Sequence, residues 1–157
     1  MPLPTLQNAH IAIIGLGYVG LPLSVAFSKI YPTIGFDINP QRIDELKSSF
    51  DSTQQVSKQE LQNSLNLSFT HNLSHIAHAN IYIICVPTPI TENKTPDLSA
   101  LIHASKLVGK VLQKGNIVIY ESTTYPTCTE NECKNTLEKS SNLTFNTDFY
   151  LGYSPER

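Results

Sequence analysis

Three glycines spaced G-x-G-x-x-G, Gly15, Gly17 and Gly20, follow an apolar run at residues 11–14 and lead into a second apolar stretch that begins Leu21-Pro22-Leu23. Each glycine has a mechanical duty: the first lets a strand turn sharply, the second lets backbone approach a ligand, and the third lets helix and strand pack closely. The N–H groups from Gly15 to Gly20, those of Tyr18 and Val19 included, then lie at a helix start, where unpaired donors and the helix dipole favour a phosphate. An acid, Asp37, stands 17 residues beyond Gly20. Strand, glycine turn, helix and acid in this order are the pattern of a βαβ unit that holds a dinucleotide, with the pyrophosphate on the glycines. A carboxylate at Asp37 accepts from both ribose hydroxyls and repels a 2′-phosphate, so the expected cofactor is NAD rather than NADP. Arg42, five residues on, is placed either to reach the adenosine or a phosphate, or to be an ordinary surface arginine.

Three further groups have chemical potential. Val86-Pro87-Thr88-Pro89 has two prolines that stiffen a loop and leave few N–H groups to satisfy, which suits one wall of a cofactor groove or a plain strand breaker. The stretch 121–126, Glu-Ser-Thr-Thr-Tyr-Pro, gathers hydroxyls, Ser122 and Thr123 among them, for binding a ribose, positioning a water or capping a turn. Glu156 beside Arg157 offers a carboxylate and a cation for substrate binding or acid–base work, or a surface ion pair.

His71, His75 and His78 share a helical face by spacing, yet no cysteine or carboxylate stands at ligand spacing, so no metal is expected. Cys85 reads as a small core residue, and Cys128 and Cys133 match neither a redox pair nor a zinc knuckle.

Strand and helix signals alternate through the elements that must position these groups. Strands are expected at 10–14, 33–37, 67–70, 80–86, 116–120 and 149–153. Helices are expected at 18–30 (with Leu21, Val25 and Ala26 on one face), from Pro40 under an Asn39 cap, at 57–65, from Asn72 or Ser74 to 79, from Asp97 or Ser99 to 112, and at 129–139. This alternation implies a single α/β domain over 1–157, a doubly wound parallel sheet of Rossmann type in the order 3-2-1-4-5-6 with helices on both faces. Ligands of such sheets lie outside the carboxyl ends of the strands, which selects the loops 15–20, 37–42, 86–90, 121–127 and 153–157. The unusual residues fall in those loops.

The chain has 157 residues, 40% hydrophobic and 15% charged, with a formal charge of −2. That is a globular composition with no electrostatic case for a nucleic acid or an anionic membrane as partner. The absence of a long apolar span or a signal-like start makes a cytoplasmic location the expectation.

The motifs G-L-G-Y-V-G-L-P-L, G-F-D-I-N-x-x-R, V-P-T-P, E-S-T-x-Y-P and G-Y-S-P-E-R together resemble the amino-terminal domain of UDP-glucose/GDP-mannose dehydrogenases. The terminal motif and C-T-E-x-E-C look most like bacterial enzymes that oxidise UDP-N-acetylhexosamines to uronic acids for surface polysaccharides. The resemblance implies oxidation of a primary alcohol through an aldehyde with two NAD, a thiohemiacetal and thioester forming on a cysteine outside this domain. It implies that Gly15 to Gly20 hold the pyrophosphate, Asp37 and Arg42 the adenosine end, and Val86 to Pro89 with Ser122 the groove. It also implies that Thr123 positions the water, that Glu156 is the general base, and that Glu156 and Arg157 meet the UDP-sugar substrate. The nucleophilic cysteine, a catalytic lysine and the sugar-nucleotide part of the family lie beyond residue 157, so the chain reads as a fragment that binds NAD without turnover, from a full-length protein expected to be a homodimer. Thr127 stands where the family usually has glycine. The competing readings are a stand-alone dinucleotide-binding sensor and an interaction module without catalysis.

Overall fold

The computed structural model describes residues 2–122 and 128–154. Six strands, β1 (Ile11–Ile14), β2 (Thr33–Phe36), β3 (Leu67–Thr70), β4 (Ile81–Ile84), β5 (Ile117–Tyr120) and β6 (Tyr150–Tyr153), form one all-parallel sheet in the order β3-β2-β1-β4-β5-β6. Five helices cross between them: α1 (Gly20–Ser28), α2 (Pro40–Lys47), α3 (Lys58–Asn63), α4 (Ser99–Val111) and α5 (Lys134–Ser141).

Side-chain alternation builds a core on each face of the sheet. Ile11 and Ile13 of β1 turn into a core with Leu21 of α1, Ile43 of α2 and Leu61 of α3. Ala12 and Ile14 turn the other way, into a core with Leu101 and Val108 of α4 and Leu137 of α5. The doubly wound architecture follows, with α1 to α3 on one face and α4 and α5 on the other. On the second face, α4 meets α5 closely at Gly109, where a β-carbon would stand 2.5 Å from the Ser140 Cβ.

Local chemistry sets the helix starts. Asn39 caps α2 by accepting from the Gln41 N–H at 3.0 Å, with Pro40 in the first turn. Ser57 and Glu60 form a reciprocal capping box on α3.

Three expectations need correction. In α1 the buried stripe is Gly20, Leu21, Ser24, Val25 and Ser28, and Ala26 is exposed. The helix expected to end at 79 is a single 3₁₀ turn, Leu73–Ile76, because an Asn72 cap serves a 3₁₀ turn as well as an α-helix. His71 and His78 therefore lie outside it and the shared histidine face does not form; the His75 Nδ1 instead pairs with the Thr70 hydroxyl at 2.8 Å. The segment from 129 opens as one turn of π-helix, Thr129–Cys133, before α5. There the Cys133 N–H donates to the Cys128 carbonyl at 3.2 Å and both thiols are buried, which raises the Cys133 thiol above its ordinary range.

Candidate functional site

The sheet reverses its winding between β1 and β4, and a cavity of about 640 Å³ opens there at the carboxyl ends of the strands. Gly15, Gly17, Tyr18 and Val19 line it from the turn after β1, Asp37 from the end of β2, and Val86, Pro87, Thr88, Pro89 and Ser122 from the ends of β4 and β5. Two expected contacts, Gly20 and Arg42, lie off the wall. The expected catalytic Thr123, and Glu156 and Arg157, lie outside the described residues.

The turn between β1 and α1 is shaped by its glycines. Gly15 has φ +94°, a left-handed conformation that side chains disfavour, and its N–H still donates to the Phe36 carbonyl at 2.8 Å. Gly20 packs against that turn from below. Gly17 faces open space, with nothing within 4 Å of where its β-carbon would be. Val19, the residue before α1, provides no side-chain cap. Among the described residues no acceptor meets the N–H groups of Gly17, Tyr18, Val19 or Gly20. Helix-start donors with no capping side chain suit an anionic ligand.

Asp37 is half-buried and aligned by backbone: its carboxylate accepts from the Leu16 N–H and the Asn39 N–H, each at 3.0 Å. Those bonds fix the carboxylate at one end of the cavity with acceptor capacity left over. Arg42 corrects its own forecast. It is neither a solvated arginine nor part of the cavity wall, because its guanidinium is buried beneath the glycine turn. Its Nε donates to the Leu16 carbonyl at 2.9 Å, and its terminal nitrogens donate to Glu45 at 3.2 Å and to Asp51 at 2.9 Å.

Asp51, unnoticed in the sequence, is the buried partner in that pair. Burial alone would raise its carboxyl. The Thr53 hydroxyl, the Val56 N–H, Arg42 and the Gln55 N–H outweigh burial and hold it down at about 2.

At the other end, the Ser122 hydroxyl donates to the Val86 carbonyl at 3.0 Å, tying the loops after β4 and β5 together. Ser122 is thus a wall whose donor is already engaged. The wall there also includes Ala100, His103, Ala104 and Leu107 of α4, together with Glu121. Glu121 belongs to the stretch marked in the sequence, whereas none of the four α4 residues was singled out there. The pair Ala100 and Ala104, small residues four apart on one side of α4, was the available signal. Unpaired N–H groups in the middle, a carboxylate at one end and a largely apolar wall at the other fit a dinucleotide.

Among the described residues no helix is long and apolar enough to cross a membrane, and no group of three or more His, Cys, Asp or Glu is arranged to hold a metal.

Comparison with known proteins gives concordant findings. The family model described as the UDP-glucose/GDP-mannose dehydrogenase family, NAD binding domain, matches residues 9–157. A UDP-N-acetyl-D-glucosamine 6-dehydrogenase of Pseudomonas aeruginosa is 54% identical over 152 residues, which is 97% of this chain and 36% of that protein. One of the same description from Salmonella typhi is 53% identical over 97% of this chain and 36% of its own length. Among solved structures, a UDP-D-ManNAc dehydrogenase from Pyrococcus horikoshii superposes with a TM-score of 0.88 at 35% identity, covering 94% of this chain and 36% of the other. The chain therefore spans about a third of the length of the relatives it matches.

Proposed function

The chain belongs to the UDP-glucose/GDP-mannose dehydrogenase family as its NAD-binding domain, and from that premise we propose that it is the cofactor half of an enzyme oxidising the primary alcohol of a UDP-N-acetylhexosamine to the uronic acid. The observation that carries the reading is the cavity at the winding reversal, where the unpaired N–H groups of the glycine turn and the Asp37 carboxylate share one wall. The substrate class rests on the identity of more than half with two UDP-N-acetyl-D-glucosamine 6-dehydrogenases.

In this reading Gly15, Gly17, Tyr18, Val19 and Gly20 form the pyrophosphate cradle, Gly20 by shaping it from below. Asp37 takes the adenosine ribose, and Val86 to Pro89 with Ser122 enclose the nicotinamide end. Arg42 acts from beneath the turn. NAD supplies the hydride acceptor, and conversion of an alcohol to an acid removes four electrons, hence two NAD per sugar. Thr123 as the residue that orients water, Glu156 as general base and Arg157 as a substrate contact come from the resemblance of their motifs. A base aimed at a water is what hydrolysis of a thioester needs. The whole protein, with its sugar-nucleotide part, is proposed to be a cytoplasmic bacterial homodimer whose product enters surface polysaccharide.

The test uses the full-length protein. NADH release is followed with UDP-N-acetylglucosamine, UDP-N-acetylgalactosamine and UDP-glucose as alternative substrates. The expected result is two NADH per uronic acid formed with an N-acetylhexosamine. Turnover with UDP-glucose alone would overturn the substrate class, and NAD binding without turnover on any UDP-sugar would favour the sensor reading.

A further inference from the structure

Leu16, between the first two glycines, is held on three sides. Its side chain is buried, reaching to within 2.9 Å of where a Gly35 β-carbon would be. Its N–H donates to Asp37 at 3.0 Å, and its carbonyl accepts from the Arg42 Nε at 2.9 Å. The peptide joining Leu16 to Gly17 is trans, so its C=O and N–H point in opposite directions. Turning the Leu16 carbonyl down onto Arg42 therefore turns the Gly17 N–H up and away, to the side where no described residue accepts it.

Arg42 is itself fixed from behind. Asp51 accepts from one terminal nitrogen at 2.9 Å, and the Asp51 side chain has 0% exposure. The Asp51 carboxylate also accepts from the Thr53 N–H and hydroxyl, the Gln55 N–H and the Val56 N–H, at 2.6–3.0 Å. The turn 51–56 thus forms a rigid socket for a carboxylate whose remaining partner is the guanidinium. A buried charge held this closely has a defined position, and passes that position to its partner.

We propose that Asp51 is a positioning residue for cofactor binding: through Arg42 it fixes the Leu16 carbonyl and so aims the Gly17 N–H at the dinucleotide pyrophosphate. The proposal rests on the reading of the glycine turn as the pyrophosphate cradle. It gives Arg42 a structural duty toward the phosphates. It also explains why a polar, serine-rich segment outside the cavity is tied into the turn after β1.

Two ligands separate these duties. ADP-ribose carries the pyrophosphate and adenosine does not. Their affinities are measured by calorimetric titration and by ligand-observed NMR, for the unmodified chain, Asp51→Asn and Arg42→Lys. Arg42→Lys keeps a cation beside Asp51, but one ammonium cannot also hold the Leu16 carbonyl in the same geometry. Should Asp51→Asn fail to fold, Arg42→Lys reads the same ratio with the ion pair in place.

The expected result is ADP-ribose binding weakened about tenfold or more in both variants, as for loss of one aligned hydrogen bond to a charged ligand, with adenosine binding unchanged. Equal losses for both ligands would overturn the proposal and make Arg42 an adenosine contact. Retention of the full ADP-ribose affinity in a folded variant would overturn it too. If the unmodified chain binds ADP-ribose no more tightly than adenosine, the pyrophosphate cradle itself is wrong and the proposal falls with it.

Discussion

A β-carbon on Gly20 would stand 1.7 Å from the carbonyl oxygen of Gly15, whereas one on Gly17 would meet nothing within 4 Å. The two glycines of one motif therefore answer to different constraints. Gly20 is required by the fold, since the obstacle is backbone and cannot rotate away. At Gly17 no such obstacle stands. Gly20→Ala is expected to cost about 3 kcal/mol or more and to lower the melting temperature by roughly 10 °C. Gly17→Ala is expected to melt within about 2 °C of the unmodified chain, as a surface change does. Thermal unfolding followed by circular dichroism checks both, and equal losses would mean that the turn is organised otherwise.

Asp37 should decide between the two nicotinamide cofactors. A 2′-phosphate would be placed against a carboxylate that two backbone N–H groups hold still. Like charges so placed cost a few kcal/mol, so NAD should bind about a hundredfold more tightly than NADP. Asp37→Ser is expected to shrink that preference to less than about tenfold, mainly by improving NADP binding. Competition titrations with both cofactors measure it; a preference untouched by the substitution would remove Asp37 from the ribose.

Acid should loosen the socket around Asp51. Its carboxyl is held at about 2 in the folded chain against 3.8 for an ordinary aspartate. A depressed carboxylate adds stability that is fully present above about pH 4 and is lost as pH falls through about 2, on the order of 2 kcal/mol in all. Glu45, Glu60, Asp97 and Asp148 are also held down, first by hydrogen bonds from Ser52, Ser57, Ser99 and Thr144 respectively. They lie nearer solvent, where screening weakens the effect. Urea midpoints taken from about pH 5 to pH 2 should fall less steeply for Asp51→Asn than for the unmodified chain.

Beneath α4 the Tyr120 hydroxyl meets the Ser105 hydroxyl at 2.7 Å, and Ser105 in turn donates to the Leu101 carbonyl at 2.8 Å. Both side chains have 0% exposure, and burial raises the Tyr120 phenol well above its ordinary range. Ser105→Ala removes the acceptor for a buried hydroxyl, at an expected cost of about 1–2 kcal/mol. Chemical denaturation should register that loss while NAD affinity stays constant, since neither side chain lines the cavity.

The sheet order was legible because the strands alternate with crossover connections, helical in all but the β3–β4 one, where a 3₁₀ turn serves, and the handedness of such crossovers leaves little choice. The Gly15–Gly20 turn and Asp37 were legible because a fixed spacing expresses a fixed geometry. Arg42 was not: its spacing from Asp37 was clear, but its direction is set by Asp51, nine residues on across an irregular segment that has no periodicity to read. The α4 wall escaped for a related reason. Helical periodicity marks Leu101 and Val108 as core, while Ala100 and His103 flank that stripe and face the cavity only because of where α4 lies against β4 and β5. At residues 73–76 the Asn72 cap was visible, but a cap reveals where a turn starts and says nothing of how far it continues.

The glycine-turn site is tested most directly by calorimetric titration of NAD into the unmodified chain and into Gly17→Ala. Because a β-carbon at residue 17 has nothing within 4 Å beyond its chain neighbours, a loss of affinity at unchanged stability reports contact with the ligand. Saturable one-to-one binding by the unmodified chain, weakened about tenfold or more in a Gly17→Ala variant of unchanged stability, is the predicted result. Equal NAD affinity in the two proteins would contradict it and place the cofactor elsewhere.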